Sequence, residues 1–195
     1  MFFNFPYRHG WDTVRMNLEK IFVKRCIGIP GDSISAIGGF YHISGLADTL
    51  GHIPGQKRLV HYRLMLDSAI IRAVVFDKTL RWDDFGPFYV PAAEKSIMLT
   101  PKNFKLYRRQ IVYETRAVIR MEDSLVYMND TIRHEYSFRT NWYFVAGDKV
   151  MNSQDSRYIG LIPETYIIGR ASQIMSSKDI YTGKRRWNRF MKRIK

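Results

Sequence analysis

Two stretches of the sequence hold side chains in patterns suited to proton transfer. The first is FVKRCIGIPGDSI, Phe22 to Ile34, which places Lys24 inside a run that otherwise reads as strand. Strand alternation sets Phe22, Lys24 and Cys26 on one face and Ile21, Val23, Arg25 and Ile27 on the other. Between two apolar neighbours, the Lys24 amine has two readings. Its stem can pack while the ammonium reaches water. Alternatively, desolvation lowers its pKa and makes it a general base. An exposed lysine, with a pKa of about 10.4, is almost wholly protonated at neutral pH and is no base. The second stretch is FVAGDKVMNSQDSRYIG, Phe144 to Gly160. There an apolar strand empties into a loop holding Asp148, Asn152, Ser153, Asp155, Ser156 and Arg157. One reading is a well-made turn, with Asn and Ser bonding nearby backbone and Asp155 paired to Arg157. The other is a polar site at the end of a strand. Neither stretch decides the matter alone.

The elements that must position these residues are mostly strands. EKIFVKRCIGI reads as one strand ending at Pro30-Gly31, a pair suited to the centre of a type II turn. DSAIIRAVVFD reads as a second strand, and YETRAVIRMEDSLVYMND as a hairpin turning at Glu122-Asp123-Ser124. RTNWYFVAGD and ETYIIGRASQI read as further strands. The Gly-rich polar run GGFYHISGLADTLGHIPGQKR reads as an irregular excursion. One internal helix is predicted in LTPKNFKLYRRQIVYE, where Thr100 caps, Pro101 takes the first helical position, and Phe104, Tyr107 and Ile111 share a face. A second, basic helix is predicted at the C-terminus, with Trp187, Phe190, Met191 and Ile194 on one side.

Composition narrows the function classes. The 195 residues suffice for one good-sized core or two small subdomains, and 46% hydrophobic with 25% charged residues is an ordinary globular balance. Lys and Arg exceed Asp and Glu by 31 to 18, which calls for an anionic partner. Seven of the basic groups lie in the last twelve residues, KRRWNRFMKRIK, with no acid among them. The remaining excess is spread thinly, which argues against nucleic acid. A single cysteine, Cys26, rules out an intrachain disulfide. His9, His42, His52, His61 and His134 show no metal-ligand spacing, so no metal and no cofactor is expected. AIIRAVVF is too short to cross a bilayer and contains Arg72, and the start MFFNFPYRHGW lacks the layout of a signal peptide.

Taken in order, FVKRCIGIPGDSI and, about a hundred residues later, GDKVMNSQDSRYIGLIPETYIIGRA closely resemble the bacterial type I signal peptidases. FFNFP resembles the aromatic strand that precedes the lysine segment of that family. FYVPAAEKSIMLTPKNFKLYRRQIVYE resembles an insert of one branch. The resemblance implies a mainly β, signal-peptidase-like fold with an inserted β-rich cap subdomain and a short basic C-terminal helix. The implied divisions are a catalytic core of residues 1–35 and 141–175, a cap of 36–140 and a basic amphipathic tail of 176–195. It also implies a serine endopeptidase with a Ser-Lys dyad, acting on signal peptides of exported preproteins at the outer face of the inner membrane. Lys24 matches the general base, and Ser153 matches the serine that orients its amine. Asp155 and Arg157 match a supporting ion pair, and Gly147 and Asp148 match its framework.

The chain also departs from that pattern. Lys149-Val150-Met151 stand where many members carry Asn-Arg-Asp. The family nucleophile belongs to a Ser-Met-x-Pro segment upstream of the aromatic strand, so no nucleophile is expected within this chain and the chain alone is not expected to cleave. Ser96, in SIMLTP, follows the lysine segment and leads into the capped helix, and Ser33 follows the Pro-Gly turn; both read as structural. A non-catalytic relative that binds signal sequences or a translocation partner is the alternative. A nucleic-acid-binding domain is a third and is not expected. For the tail, docking on an anionic membrane surface competes with packing of Trp187 and Phe190 on the body.

Overall fold

The computed structural model describes residues 1–7, 14–65, 73–74, 77–81, 83–150, 152–178 and 182–194. The architecture is mainly β, built from small antiparallel sheets with few helices. The predicted 67–77 strand falls largely outside the described residues, within which Ala73–Val74 pairs with Asp77–Arg81.

Three sheets surround the site. In the first, the strand Phe2–Tyr7 (β1) lies between Arg15–Val23 (β2) and Ile167–Gly169. In the second, Trp142–Ala146 lies between Arg25–Gly28 (β3) and Ile162–Pro163. The third orders Phe40–Ile43, Ser33–Ile37 and Phe85–Tyr89. The run expected as one strand over residues 19–29 is therefore two. It leaves the first sheet at Val23 and joins the second at Arg25, so Lys24 occupies the hand-off between them. The pairing partners change there, and a period-2 pattern does not register such a change. The alternation itself persists: Phe22, Lys24 and Cys26 are half-buried, whereas Ile21, Val23 and Arg25 are exposed. At the end of β3 the Pro30-Gly31 turn forms, with Gly31 at φ 96° and Asp32 N donating to Ile29 O at 3.1 Å.

The expected internal helix spans Pro101–Thr115. Thr100 Oγ1 accepts from Asn103 N at 3.2 Å, and Tyr107 and Ile111 are buried. Its last turn carries Glu114, whose carboxylate accepts from Trp142 Nε1 (2.8 Å), Tyr136 Oη (2.6 Å), Arg139 N (2.9 Å) and Thr140 N (3.3 Å). This binds the helix to the start of the Trp142–Ala146 strand. The predicted hairpin pairs Ile119–Glu122 with Leu125–Met128 through Asp123-Ser124, both at positive φ, as a type I′ turn requires.

Two further expectations are corrected. The 38–58 run holds regular structure: the strand Phe40–Ile43, with Tyr41 and Ile43 buried, and a helix over Ile53–Met65. Pro54 sits in the first turn of that helix, where it costs no hydrogen bond, and buried Gln56 ties the helix to the strand by accepting from Tyr41 N at 2.9 Å. The expected C-terminal α-helix is absent among the described residues. Residues 187–194 form a 3₁₀ turn, Trp187–Arg189, and a short strand, Lys192–Arg193, paired with Gln173–Ile174. Met191 adopts φ 53°, which ends the turn, and Ile194 N donates to Ser172 O at 2.9 Å. The ladder to Gln173–Ile174 and the bond to Ser172 give this backbone partners in place of helical ones.

Candidate active site

The strand Trp142–Ala146 delivers the chain to Gly147, and the loop beyond it is held by a buried ion pair. Asp155 and Arg157 are both fully buried. The guanidinium donates twice, Nε to Oδ1 at 2.8 Å and Nη2 to Oδ2 at 2.7 Å. Nη2 also donates to Val150 O at 2.8 Å, and Gly147 N donates to Asp155 Oδ2 at 2.9 Å. Thus one carboxylate ties the start of the loop to its end, and its guanidinium partner ties the middle. Asp155 also caps the short helix Ser156–Ile159, and Ser156 Oγ accepts from Val145 N at 2.9 Å. Burial opposes the charge on Arg157, but Tyr41 and Asp155 outweigh it and hold its pKa above the ordinary value.

This frame aims Ser153 at Lys24. Nζ donates to Ser153 Oγ at 2.9 Å across 129 residues of sequence. Gly147 allows the approach: a Cβ there would lie 1.9 Å from Ser153 Oγ, 2.7 Å from its Cβ and 3.3 Å from Lys24 Nζ. The amine also lies 5.4 Å from the centroid of the Phe22 ring, which packs on Phe5 at 4.5 Å. Desolvation is the largest influence on the amine and lowers its pKa; Asp155 raises it, Arg157 lowers it and Asp148 raises it, and the net shift is downward. Cys26, on the same face, has its thiol pushed up to about 11 by burial, so it is an apolar wall at neutral pH. A cleft of about 470 Å³ opens beside Lys24, bounded by Val23, Arg25, Cys26, Asp148, Arg170 and Ile194.

All six residues singled out in the sequence lie in this one region, with differing contacts. Asp148 does not touch the amine. It takes a forked ion pair from Arg25, at 3.1 and 3.0 Å, with both side chains about half exposed. Val150 turns inward as part of the core, and Met151 lies outside the described residues. Ser96 is on a strand paired with Glu135–Ser137, next to the capped helix. Sequence reasoning missed Arg25 and His52. The His52 ring Nδ1 lies 3.1 Å from both Asp148 O and Gly55 N, and with its proton on Nδ1 it donates to Asp148 O and braces the Gly147-Asp148 corner. No local pattern marks a histidine 96 residues away. Among the described residues no group of His, Cys, Asp and Glu is placed to hold a metal ion.

No curated protein matches the chain. Residues 93–176 match the family model described as signal peptidase, peptidase S26. The matched segment contains Gly147, Asp148, Ser153, Asp155 and Arg157, and Lys24 reaches it from outside through the bond to Ser153. Over residues 93–176 the chain is similar to the family described as signal peptidase, peptidase S26.

Proposed function

We propose that this chain is the base-bearing part of a signal peptidase I-type serine endopeptidase that removes signal peptides from exported preproteins. The observation that supports it is the 2.9 Å contact of a partly desolvated lysine amine with Ser153 in a loop of the family-matched segment. In this reading Lys24 is the general base. Its neutral amine takes the proton of an attacking serine hydroxyl and returns it to the leaving amine of the cleaved peptide bond. Ser153 accepts one N–H, which fixes the rotamer and leaves the lone pair for the nucleophile. Gly147, Asp155 and Arg157 hold Ser153 in place, and Asp148 with Arg25 forms one wall of the cleft. Residues 1–35 and 141–175 form the core of the site, with 36–140 inserted. The reading assigns the nucleophile to none of the 195 residues; its place is a Ser-Met-x-Pro segment ahead of β1.

The test joins such a segment, with an apolar anchor, ahead of Phe2 and measures cleavage of a preprotein carrying small residues at its cleavage site. Cleavage that is lost in Lys24→Ala supports the reading, and cleavage retained in Lys24→Ala refutes the assignment of the base. The alternative role, a non-catalytic relative that binds signal sequences, predicts saturable signal-peptide binding without turnover even in the joined protein.

A further inference from the structure

The inserted segment 36–140 touches the active-site loop at the start of the helix Ile53–Met65. There His52 Nδ1 stands 3.1 Å from an acceptor, Asp148 O, and 3.1 Å from a donor, Gly55 N. One nitrogen cannot serve both: it carries the proton and donates, or it presents its lone pair and accepts. Gly55 N already donates to His52 O at 2.9 Å, whereas His52 Nδ1 is the one donor that Asp148 O has among the described residues. A proton on Nδ1 therefore leaves neither group unpaired, and a proton on Nε2 leaves Asp148 O without a partner. The approach is close, since a Cβ on Gly55 would collide with Asp148 O and lie 3.1 Å from Val150 Cγ2. The corner is thus tied three times. His52 holds Asp148 O, Arg25 holds the Asp148 carboxylate at 3.0 and 3.1 Å, and Arg157 Nη2 holds Val150 O at 2.8 Å. Arg25 and Arg157 belong to the core segments; His52 is the tie that the insert supplies. The next residue back, Gly147, packs directly on Ser153 and Lys24.

We propose that His52 is a positioning residue for the lysine base: its Nδ1–H holds Asp148 O and, through Gly147, keeps Ser153 against Lys24. The inference rests on the reading of Lys24 as the base and gives the insert a part in setting it. Without this tie the corner is free to shift, Ser153 draws away and water reaches the amine. Desolvation is the largest influence on that amine, so its pKa should rise toward that of an ordinary lysine. The donor's place selects the variants. Asn Nδ2 stands as many bonds from Cβ as His Nδ1, so His52→Asn keeps a donor for Asp148 O. His52→Gln carries it one bond farther out, and His52→Leu removes it.

The first measurement is ¹⁵N NMR of the histidine rings in the full chain at neutral pH. A proton on His52 Nδ1 is expected, and a bare Nδ1 overturns the proposal. The second is NMR titration of ¹³C-methylated Lys24. His52→Leu and His52→Gln should raise its midpoint by roughly half a pH unit or more, and His52→Asn should stay near the parent. Gly55→Ala keeps the histidine but forces the helix off Asp148 O, so it should raise the midpoint too, and it serves where His52→Leu does not fold. A histidine that only stabilised the fold would lower the urea midpoint and leave the Lys24 titration of the folded chain unmoved. That result, or an equal rise in His52→Asn, overturns the proposal. In the protein joined to a Ser-Met-x-Pro segment, His52→Leu should lower kcat roughly tenfold or more with KM little changed, and His52→Asn should restore it. Cleavage indifferent to His52 refutes the positioning role and leaves Lys24 as the base. A joined parent that does not cleave, with a Lys24 midpoint that still follows His52, refutes the peptidase reading and leaves the tie to Asp148 standing.

Discussion

Lys24 and Ser153 lie 129 residues apart in sequence and 2.9 Å apart in space, the amine donating to the hydroxyl. The lysine is supplied at the junction of two sheets and the serine by a loop locked through Asp155 and Arg157. The contact is therefore as rigid as the two frames that present it.

The Lys24 amine should titrate below the other lysines. Reductive ¹³C-methylation followed by NMR titration gives each lysine a midpoint, and Lys24 is expected lowest because desolvation lowers its pKa. A midpoint among those of the surface lysines would remove the basis for calling it a base.

The same shift predicts a pH dependence of stability. Lys24 has a lower pKa folded than unfolded, so between those two values the unfolded chain binds the extra proton. Stability from this group therefore rises with pH through that window, and below it the buried charge is a constant cost. Lys24→Met should raise the urea midpoint at neutral pH and lessen the rise toward alkaline pH. An unchanged pH profile would show that the amine is fully solvated.

Gly147→Ala should damage the site more than the fold. The added methyl would lie 1.9 Å from Ser153 Oγ, so Ser153 or the strand end must shift. The expected cost is about 1–3 kcal/mol in urea unfolding. The Lys24 midpoint should move as its hydroxyl partner is displaced. A variant with parental stability and a parental Lys24 midpoint would contradict the close packing.

Asp155→Ala should be among the most destabilising single substitutions. It strands a fully buried guanidinium and releases Gly147 N, and breaking such a pair costs about 3–5 kcal/mol. Urea unfolding of Asp155→Ala, Arg157→Met and the double variant forms the check. The double variant is expected to be less damaged than Asp155→Ala alone, because no lone buried charge remains. Strictly additive losses would mean that the pair does not act as a unit.

Glu114→Gln tests the brace behind the site. The carboxylate accepts from four donors, whereas the amide has a single oxygen to accept them. A loss of about 1–3 kcal/mol is expected, with blue-shifted or broadened Trp142 indole signals as the local readout. No change in either would show that the hub is redundant.

Features set by neighbours in the chain were legible in advance. Pro30-Gly31 closes a turn, Thr100 and Pro101 start a helix, and Asp123-Ser124 turns a hairpin, because each depends on local dihedral preferences and short-range hydrogen bonds. The residue types of the site were legible too, since an amine between apolar neighbours and an Asn-Ser-Gln-Asp-Ser-Arg loop are local patterns. Three things were decided by tertiary structure alone. The strand around Lys24 divides because residues on either side find partners in different sheets. The tail forms a 3₁₀ turn and a short strand rather than an α-helix because Gln173–Ile174 offers its backbone a ladder. The bracing by His52 and Glu114 joins groups distant in sequence. Periodicity reports which face of a segment is apolar; it carries no record of the partner that will cover that face, and in this protein the partner determines where the amine of Lys24 ends.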